Sequence, residues 1–430
     1  MPRRLAFEIL KKARRDNTYT NIAIDAALKR SELSQSDRAL CSIIVLGVTE
    51  RRITLDYYID KLAKNSEDID DEVRIILQIS IYQMLYLDRI PPYAAVNEAV
   101  NMSKRKYAGF VNAVLRNFMR KRDSIEFEGD ELQKMSLEYS YPRELCQKFS
   151  DIYGAKRAKN ILDAFNRAPK MTLRVNTLVT GKEEYRKLLS EKGIDAQDGK
   201  YLEDALIIDG AEFGSLPFAD KGYIFVQDVA SQICVEAIGA RAGEFIIDTC
   251  SCPGSKSFGC AIKMQNTGKI LSCDLHKSKL SLVESGAKRL SIDIIETVER
   301  DGRSFDGALE GKADRVLCDV PCSGLGVIGK KPEIRYKNLS DIQKLPDIQL
   351  DILKNASRYV KVGGVLVYST CTVLPEENEL NVKRFLEGNS SFEALDFEVG
   401  GLSSESGCLK LTPDEHNTDG FFICKMKRIK

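Results

Sequence analysis

The sequence predicts a multidomain chain with three parts. These are an all-α N-terminal domain (residues 1–125), a small α+β connecting domain (131–235) and a C-terminal Rossmann-like α/β domain (236–430) on a doubly wound, parallel sheet. Three observations carry this. The N-terminal part places apolar side chains at helical spacing and holds few glycines, as a helical bundle does. The middle mixes helical runs with short alternating stretches. Beyond it, short apolar runs that end at an acid or a cysteine alternate with helical stretches, the pattern of βαβ units. The length of 430 residues agrees, since domains average roughly 150 residues.

Taken in order, Leu5, Ile9, Leu10 and Ala13 define the first helical face. Val73, Ile76, Leu77 and Met84 define another, and Phe110, Val111, Val114, Leu115 and Phe118 a third. Pro91-Pro92 separates helices because proline lacks the N–H that a helix interior needs. The polar, acidic stretch Ser124 to Asp130 reads as a linker. Met171 to Thr177 and Tyr223 to Gln227 alternate like strands. Five strands are expected in the last domain: Phe245 to Asp248, Lys269 to Asp274, Thr297 to Glu299 leading to Asp301, Val316 to Asp319, and Val365 to Tyr368 leading to Cys371. Lys277 to Leu290 fills one of the gaps with helical spacing.

Composition narrows the function. With 64 basic and 63 acidic residues the net charge is +1, so any nucleic-acid surface must be local. The most apolar stretch, Val73 to Leu87, is interrupted by Arg74, Gln78, Ser80 and Gln83, which disfavours a membrane span. Glu8 and Lys11 break any export-signal core, so a cytoplasmic protein is expected and the 12 cysteines read as thiols. No CxxC pair exists and the only histidines are His276 and His416. That disfavours a structural zinc site and a histidine-based hydrolase, and no metal is expected.

The first strand of the last domain leads into Asp248-Thr249-Cys250-Ser251-Cys252-Pro253-Gly254-Ser255-Lys256. A turn of small residues that opens a helix lets backbone N–H groups and the helix dipole meet an anionic group. The dinucleotide fingerprint G-x-G-x-x-G is absent. Asp274, at the next strand end, is placed to accept from ribose hydroxyls, and Asp301 from an adenine amino group. The set suits a nucleoside that carries an amino-acid tail, as S-adenosylmethionine does. Any single Asp is more often a cap or turn residue, and it is the succession along the sheet edge that carries weight.

Two cysteines also end strands, Cys322 in Asp319-Val320-Pro321-Cys322-Ser323-Gly324 and Cys371 in Ser369-Thr370-Cys371-Thr372. Both should open onto the same sheet edge, whereas Cys260 and Cys424 read as core residues. Carbon 5 of cytosine is a poor nucleophile until a thiolate adds at carbon 6. A paired-thiol site beside a methyl donor therefore points to cytosine-5 methylation. Asp319 is the candidate acid for the ring's N3 edge, and Lys256 is placed to orient it or to lower a thiol pKa. Spacing does not separate the two thiols as nucleophile.

Taken together, these motifs resemble the RsmB (Sun or Fmu) family of bacterial 16S rRNA cytosine-5 methyltransferases, within the wider NOL1/NOP2/Sun group. The resemblance spans nearly the whole chain. Asn97-Glu98-Ala99-Val100 and Phe110 to Arg116 resemble a NusB-type RNA-binding domain. Leu173-Arg174-Val175-Asn176, Gln227 to Ser231, the two cysteine motifs with Glu376-Glu377-Asn378, and His416 with Asp419-Gly420-Phe421-Phe422 match in order. The resemblance implies S-adenosylmethionine on Cys250, Ser251, Cys252, Pro253, Gly254, Ser255, Lys256, Asp274, Asp301 and Asp319. It also implies Cys371 as nucleophile and Cys322 as the group that assists release. The implied partner is a hairpin-loop cytosine of 16S rRNA in unassembled subunit RNA, met by a monomer. Where the family turn reads Ala-Ala-Pro-Gly-Gly-Lys, this chain has Ser251 to Lys256 with Ser255 in place of a glycine. A requirement for positive φ there would strain the serine and weaken cofactor binding.

Two basic clusters are candidate RNA contacts. Lys104, Arg105, Lys106, Arg116, Arg120, Lys121 and Arg122 lie among Tyr107, Phe110 and Phe118, and the last two read as core. Lys330, Lys331, Arg335, Tyr336 and Lys337 follow the Cys322 motif and are expected to face RNA beside the site. Two rival readings remain open. One is methyl transfer to a protein or small molecule, which needs no covalent thiol. The other is a non-enzymatic RNA-binding factor, favoured only by Ser255.

Overall fold

The computed structural model describes residues 2–16 and 19–430. It divides into two compact units, one running to Arg167 and including Ile328–Lys337, the other holding Ala168–Val327 and Asn338–Lys430.

The first unit is helical. Pro2–Asp16, Asp71–Tyr86 and Ala108–Lys121 bury the faces read from sequence, and Gln35–Glu50 adds Cys41, Ile44, Val45 and Val48 to the same core. Ser34, Asp70 and Asp130 start helices by accepting from the N–H groups of Asp37, Glu72 and Gln133, which would otherwise lack partners. Asp71–Tyr86 is buried nearly all round and forms the centre of the bundle. Phe118 is fully buried and Phe110 packs against the same core, as their spacing implies. Of the basic residues nearby, Lys104 pairs with Glu72 at 2.9 Å and Arg122 donates to Met84 O, while Arg105, Lys106, Arg116, Arg120 and Lys121 are exposed. Three further helices, Glu131–Tyr139, Arg143–Tyr153 and Ala155–Phe165, belong to this unit.

The segment after the Cys322 motif corrects one expectation. Arg335 does not face outward. It is 1% exposed and donates to Glu50 O, Ser140 O, Asn166 Oδ1 and Pro332 O. Its guanidinium also lies 4.1 Å from the Tyr141 ring centre. The Tyr336 hydroxyl donates to Thr49 O, and Arg52 stacks on its ring. Helix C-termini present carbonyls without intrahelical donors, and a buried guanidinium satisfies several at once.

The second unit holds two sheets. In the smaller one, β1 (Met171–Val175), β2 (Ala196–Asp198), β3 (Ala205–Ile208) and β4 (Ile224–Val226) pair antiparallel in the order β2-β3-β1-β4. Arg174 on β1 is buried and pairs with Glu236 at 2.8 Å. Asn176 donates to Gly222 O and Leu290 O. The matched Leu173-Arg174-Val175-Asn176 run is thus a structural junction inside this unit.

The larger sheet contains the five expected strands: β5 (Phe245–Asp248), β6 (Lys269–Asp274), β7 (Ile295–Glu299), β8 (Ala313–Asp319) and β9 (Val360–Thr370). All five run parallel. The C-terminal part adds β10 (Phe392–Ala394), a small β11 (Glu398–Val399) and β12 (Leu402–Ser403) hairpin, β13 (Cys408–Leu411) and β14 (Phe421–Arg428). Strand β14 inserts antiparallel between β9 and β10, so the sheet is mixed, in the order β10-β14-β9-β8-β5-β6-β7. Apolar cores cover both of its faces. Chain order reverses between β5 and β8, and at such a switch point a crevice opens beyond the carboxyl ends of the strands.

Candidate active site

Asp248 and Asp319 end the two strands that flank this switch point. Asp248 is buried and accepts from Ser257 Oγ at 2.6 Å, and burial pushes its carboxyl up to about 7. Its Oδ1 and the Ser251 hydroxyl are buried without a hydrogen-bond partner. Gly254, not residue 255, takes the left-handed backbone at φ +106°, and a Cβ there would lie 2.5 Å from Phe258. Ser255 begins the helix Ser255–Lys263 with ordinary φ, so serine meets no backbone strain. Gln227 supports the turn by donating to Ser255 O.

Asp274 accepts from the N–H groups of Cys252 and His276, which aims its carboxylate into the same strand-end region. Asp301 accepts from Arg303 through both oxygens, and those bonds hold its carboxyl below the usual range. Any ligand group that reached Asp301 would share it with that guanidinium. Burial raises the Cys250 thiol, and raises Cys252 to about 12, so neither is an activated nucleophile. Orphaned polar atoms in a turn at a helix N-terminus, followed by an acid at the next strand end, fit an S-adenosylmethionine-like group. Ser251, Gly254, Ser255 and Asp274 are the residues that would hold such a group.

Lys256 and Asp319 join across the switch point at 2.6 Å. Ser369 Oγ donates to the other Asp319 oxygen at 2.6 Å. The lysine side chain is only 10% exposed. Burial opposes its charge most, but the attraction and hydrogen bond of Asp319, together with the Cys234 and Cys371 sulfurs, outweigh it and hold its pKa above the ordinary value. The Phe421 ring lies 5.2 Å from its ammonium.

The two strand-end cysteines meet, with Cys322 Sγ and Cys371 Sγ 3.2 Å apart and both residues partly exposed. Cys260 and Cys424 are core residues, as their pattern implies. The hydrogen bond to Cys371, followed by burial and the charge of Glu377, pushes the Cys322 thiol well above its usual range. The C-terminal signature closes the other side. Gly326 donates to Cys371 O and Gly420 donates to Gly326 O, and a Cβ on Gly326 would stand 1.8 Å from Gly420 O. His416 is a local cap that accepts from Thr412 N at 3.0 Å.

Sequence reasoning gave Gln349 no place in the site, and Glu377 and Asn378 only as matched motif residues. Gln349 is buried on the apolar face of the helix Leu345–Tyr359, beside Leu350, Ile352 and Leu353. A glutamine in an otherwise apolar stripe was the available signal.

Comparison with known proteins supports this picture. Residues 235–427 match the family described as 16S rRNA methyltransferase RsmB/F. Residues 1–120 match the NusB family, and 141–212 an RsmF/B-like ferredoxin-like domain. A probable ribosomal RNA small subunit methyltransferase B from Bacillus subtilis (strain 168) is 34% identical, covering 99% of this chain and 98% of its own. The ribosomal RNA small subunit methyltransferase B of Escherichia coli O7:K1 is 32% identical, covering 92% of each chain. The crystal structure of PH0851 is similar in fold over 100% of this chain and 99% of its own, with TM-score 0.84 and 24% identity. The chain belongs to the RsmB/F family of 16S rRNA methyltransferases.

Proposed function

We propose that this chain methylates carbon 5 of a cytosine in 16S rRNA, with Cys371 as the attacking thiolate and Cys322 as the group that assists release. The observation that carries the reading is the 3.2 Å contact between the two sulfurs, beside the Lys256–Asp319 pair at the edge of the cofactor turn. Direct transfer to an oxygen or nitrogen has no use for paired thiols. The names of the relatives supply the RNA.

The neighbours of the two sulfurs support a choice that spacing leaves open. Cys371 lies in the field of the Lys256 ammonium, and Cys322 in the field of the Glu377 carboxylate. These neighbours support the choice of Cys371 as the nucleophile and Cys322 as its partner. The thiolate adds to carbon 6 of the ring while Asp319, steered by Lys256 and Ser369, faces the N3 edge. S-adenosylmethionine supplies the electrophilic methyl carbon. Carbon 5 takes that methyl as the sulfonium carbon–sulfur bond breaks, water takes the carbon 5 proton, and the carbon 6–sulfur bond breaks onto the Cys371 sulfur to restore the ring, with the Cys322 S–H placed to stabilise the departing thiolate.

The target base must leave its stack to reach the sulfurs, so a loop cytosine is the expected substrate. We assign RNA holding to the helical residues 1–125, whose exposed Arg105, Lys106, Arg116, Arg120 and Lys121 suit phosphates, and to the connecting residues 131–235. Residues 236–430 carry catalysis. The test is incubation with methyl-labelled cofactor and unmodified 16S rRNA, followed by nucleoside analysis. Label at cytosine carbon 5 is expected. Label on another atom, or none, overturns the reading.

A further inference from the structure

We infer that the adjacent residues Glu377 and Asn378 form a caliper that fixes the separation of the two active-site sulfurs, each gripping the turn that carries one of them. This rests on the reading of Cys371 and Cys322 as the reacting pair.

Glu377 serves Cys322. Its Oε2 accepts from Ser323 N at 2.8 Å and from Gln349 Nε2 at 2.8 Å. The same Gln349 nitrogen donates to Pro321 O at 3.0 Å. The backbone on both sides of Cys322 is thus held by one carboxylate oxygen and one amide, and both hydrogens of that amide are used. Asn378 serves Cys371 in the same way. Its Oδ1 accepts from Thr370 Oγ1, and its Nδ2 donates to Thr372 O at 3.0 Å. The residues before and after Cys371 are therefore both tied to one amide. Ser323 Oγ and Thr372 Oγ1 lie 2.7 Å apart and link the two turns directly.

The caliper has a fixed base. The Tyr368 hydroxyl donates to Glu377 O at 2.6 Å, and Asn381 donates to that hydroxyl. Gln349, Glu377, Asn378, Thr370, Thr372 and Ser323 are all buried, where such networks are rigid. Stability alone does not account for the carboxylate, because Glu377 Oε1 is buried without a partner, an arrangement an apolar residue would avoid. Consecutive residues have a fixed Cα separation, so placing the two grips next to each other in the chain couples the positions of the sulfurs. Glu377 and Asn378 are positioning residues, since they hold the cysteine turns through backbone and do not touch the base, while the Glu377 charge also acts on the Cys322 thiol.

The experiment uses the full chain with Glu377→Ala, Glu377→Gln, Asn378→Ala and Thr370→Val. The first readout is a ruler that needs no RNA: the rate at which oxidised glutathione converts Cys322 and Cys371 to a disulfide, followed by peptide mass spectrometry. One thiol displaces glutathione to form a mixed disulfide. The second thiol then displaces the other glutathione, which leaves one protein disulfide and two reduced glutathiones. The second readout is the balance between methylated product and covalent protein–RNA adduct. Glu377→Ala and Asn378→Ala should each slow the ruler roughly tenfold, as the loss of buried hydrogen bonds implies. Glu377→Ala should accumulate adduct, because release through Cys322 suffers. Asn378→Ala and Thr370→Val should form less adduct, because addition through Cys371 suffers. Glu377→Gln keeps an acceptor for Ser323 N and should recover part of the wild-type rate. Ruler rates near wild type in Glu377→Ala and Asn378→Ala, even with lowered melting, would reduce the pair to a structural role and overturn the inference. A slowed ruler with no carbon 5 methylation by the wild type would instead sink the functional reading and leave the caliper standing.

Discussion

Replacing Arg335 with alanine should destabilise the helical unit strongly. The guanidinium reaches Glu50 O at 2.8 Å, Ser140 O at 3.1 Å, and Asn166 Oδ1 and Pro332 O at 3.2 Å. Three of these acceptors sit at the ends of the helices Gln35–Glu50, Glu131–Tyr139 and Ala155–Phe165. An acceptor stranded in the interior costs about 1–3 kcal/mol. The lost stacking on Tyr141 adds about 1–2 kcal/mol. Relief of the guanidinium's own desolvation and partial relaxation offset part of this, which leaves about 4 kcal/mol. For a unit of this size, a loss of about 4 kcal/mol lowers the melting midpoint by about 12 °C. Calorimetric melting of the full chain measures it. Arg335→Lys should recover little, because a single ammonium does not span acceptors on three helices. An unchanged melt combined with weakened RNA binding would refute the reasoning and restore an outward-facing loop.

Three further outcomes are expected. Asp248, held near 7 by burial, stabilises the fold as the neutral acid below the ordinary carboxyl range, and that stability is lost as pH rises through 7. The melting temperature of Asp248→Asn should therefore gain on wild type from pH 4 to pH 8, and a pH-independent difference contradicts this. Ser255→Gly should leave cofactor affinity in calorimetric titration essentially unchanged, since Ser255 has ordinary helical φ, and a clear gain in affinity would show that serine does strain the turn. Lys256→Met should lower methylation by roughly a hundredfold, the scale of a lost charge-assisted hydrogen bond. It should also move the rise of the pH–rate profile to higher pH, because the Cys371 thiolate loses its cation, and an unmoved profile excludes that role.

The parallel strands and the strand-end acids were legible because buried strands bounded by turns leave a strong mark in sequence, and chain topology alone brings Asp248, Asp274 and Asp319 to one edge. Antiparallel β14 was not, since a short strand whose second half carries Lys425, Lys427 and Arg428 states no direction. Arg335 misled because an arginine among lysines reads as solvated, and only tertiary packing reveals the helix ends it satisfies. The pairing of Cys322 with Cys371 could be anticipated from their strand ends. The Gln349–Glu377 grip could not, since it joins a helix to a loop 28 residues away through side chains whose partners are backbone groups. The concern over Ser255 dissolved for a local reason: the positive φ falls one residue earlier, on Gly254.

The most direct measurement compares Cys322→Ala with Cys371→Ala, each incubated with 16S rRNA and S-adenosylmethionine and run on a denaturing gel. Cys322→Ala should retain a covalent RNA adduct, and Cys371→Ala should show neither adduct nor methylated product. An adduct trapped by Cys371→Ala, or normal methylation without that thiol, would contradict the account.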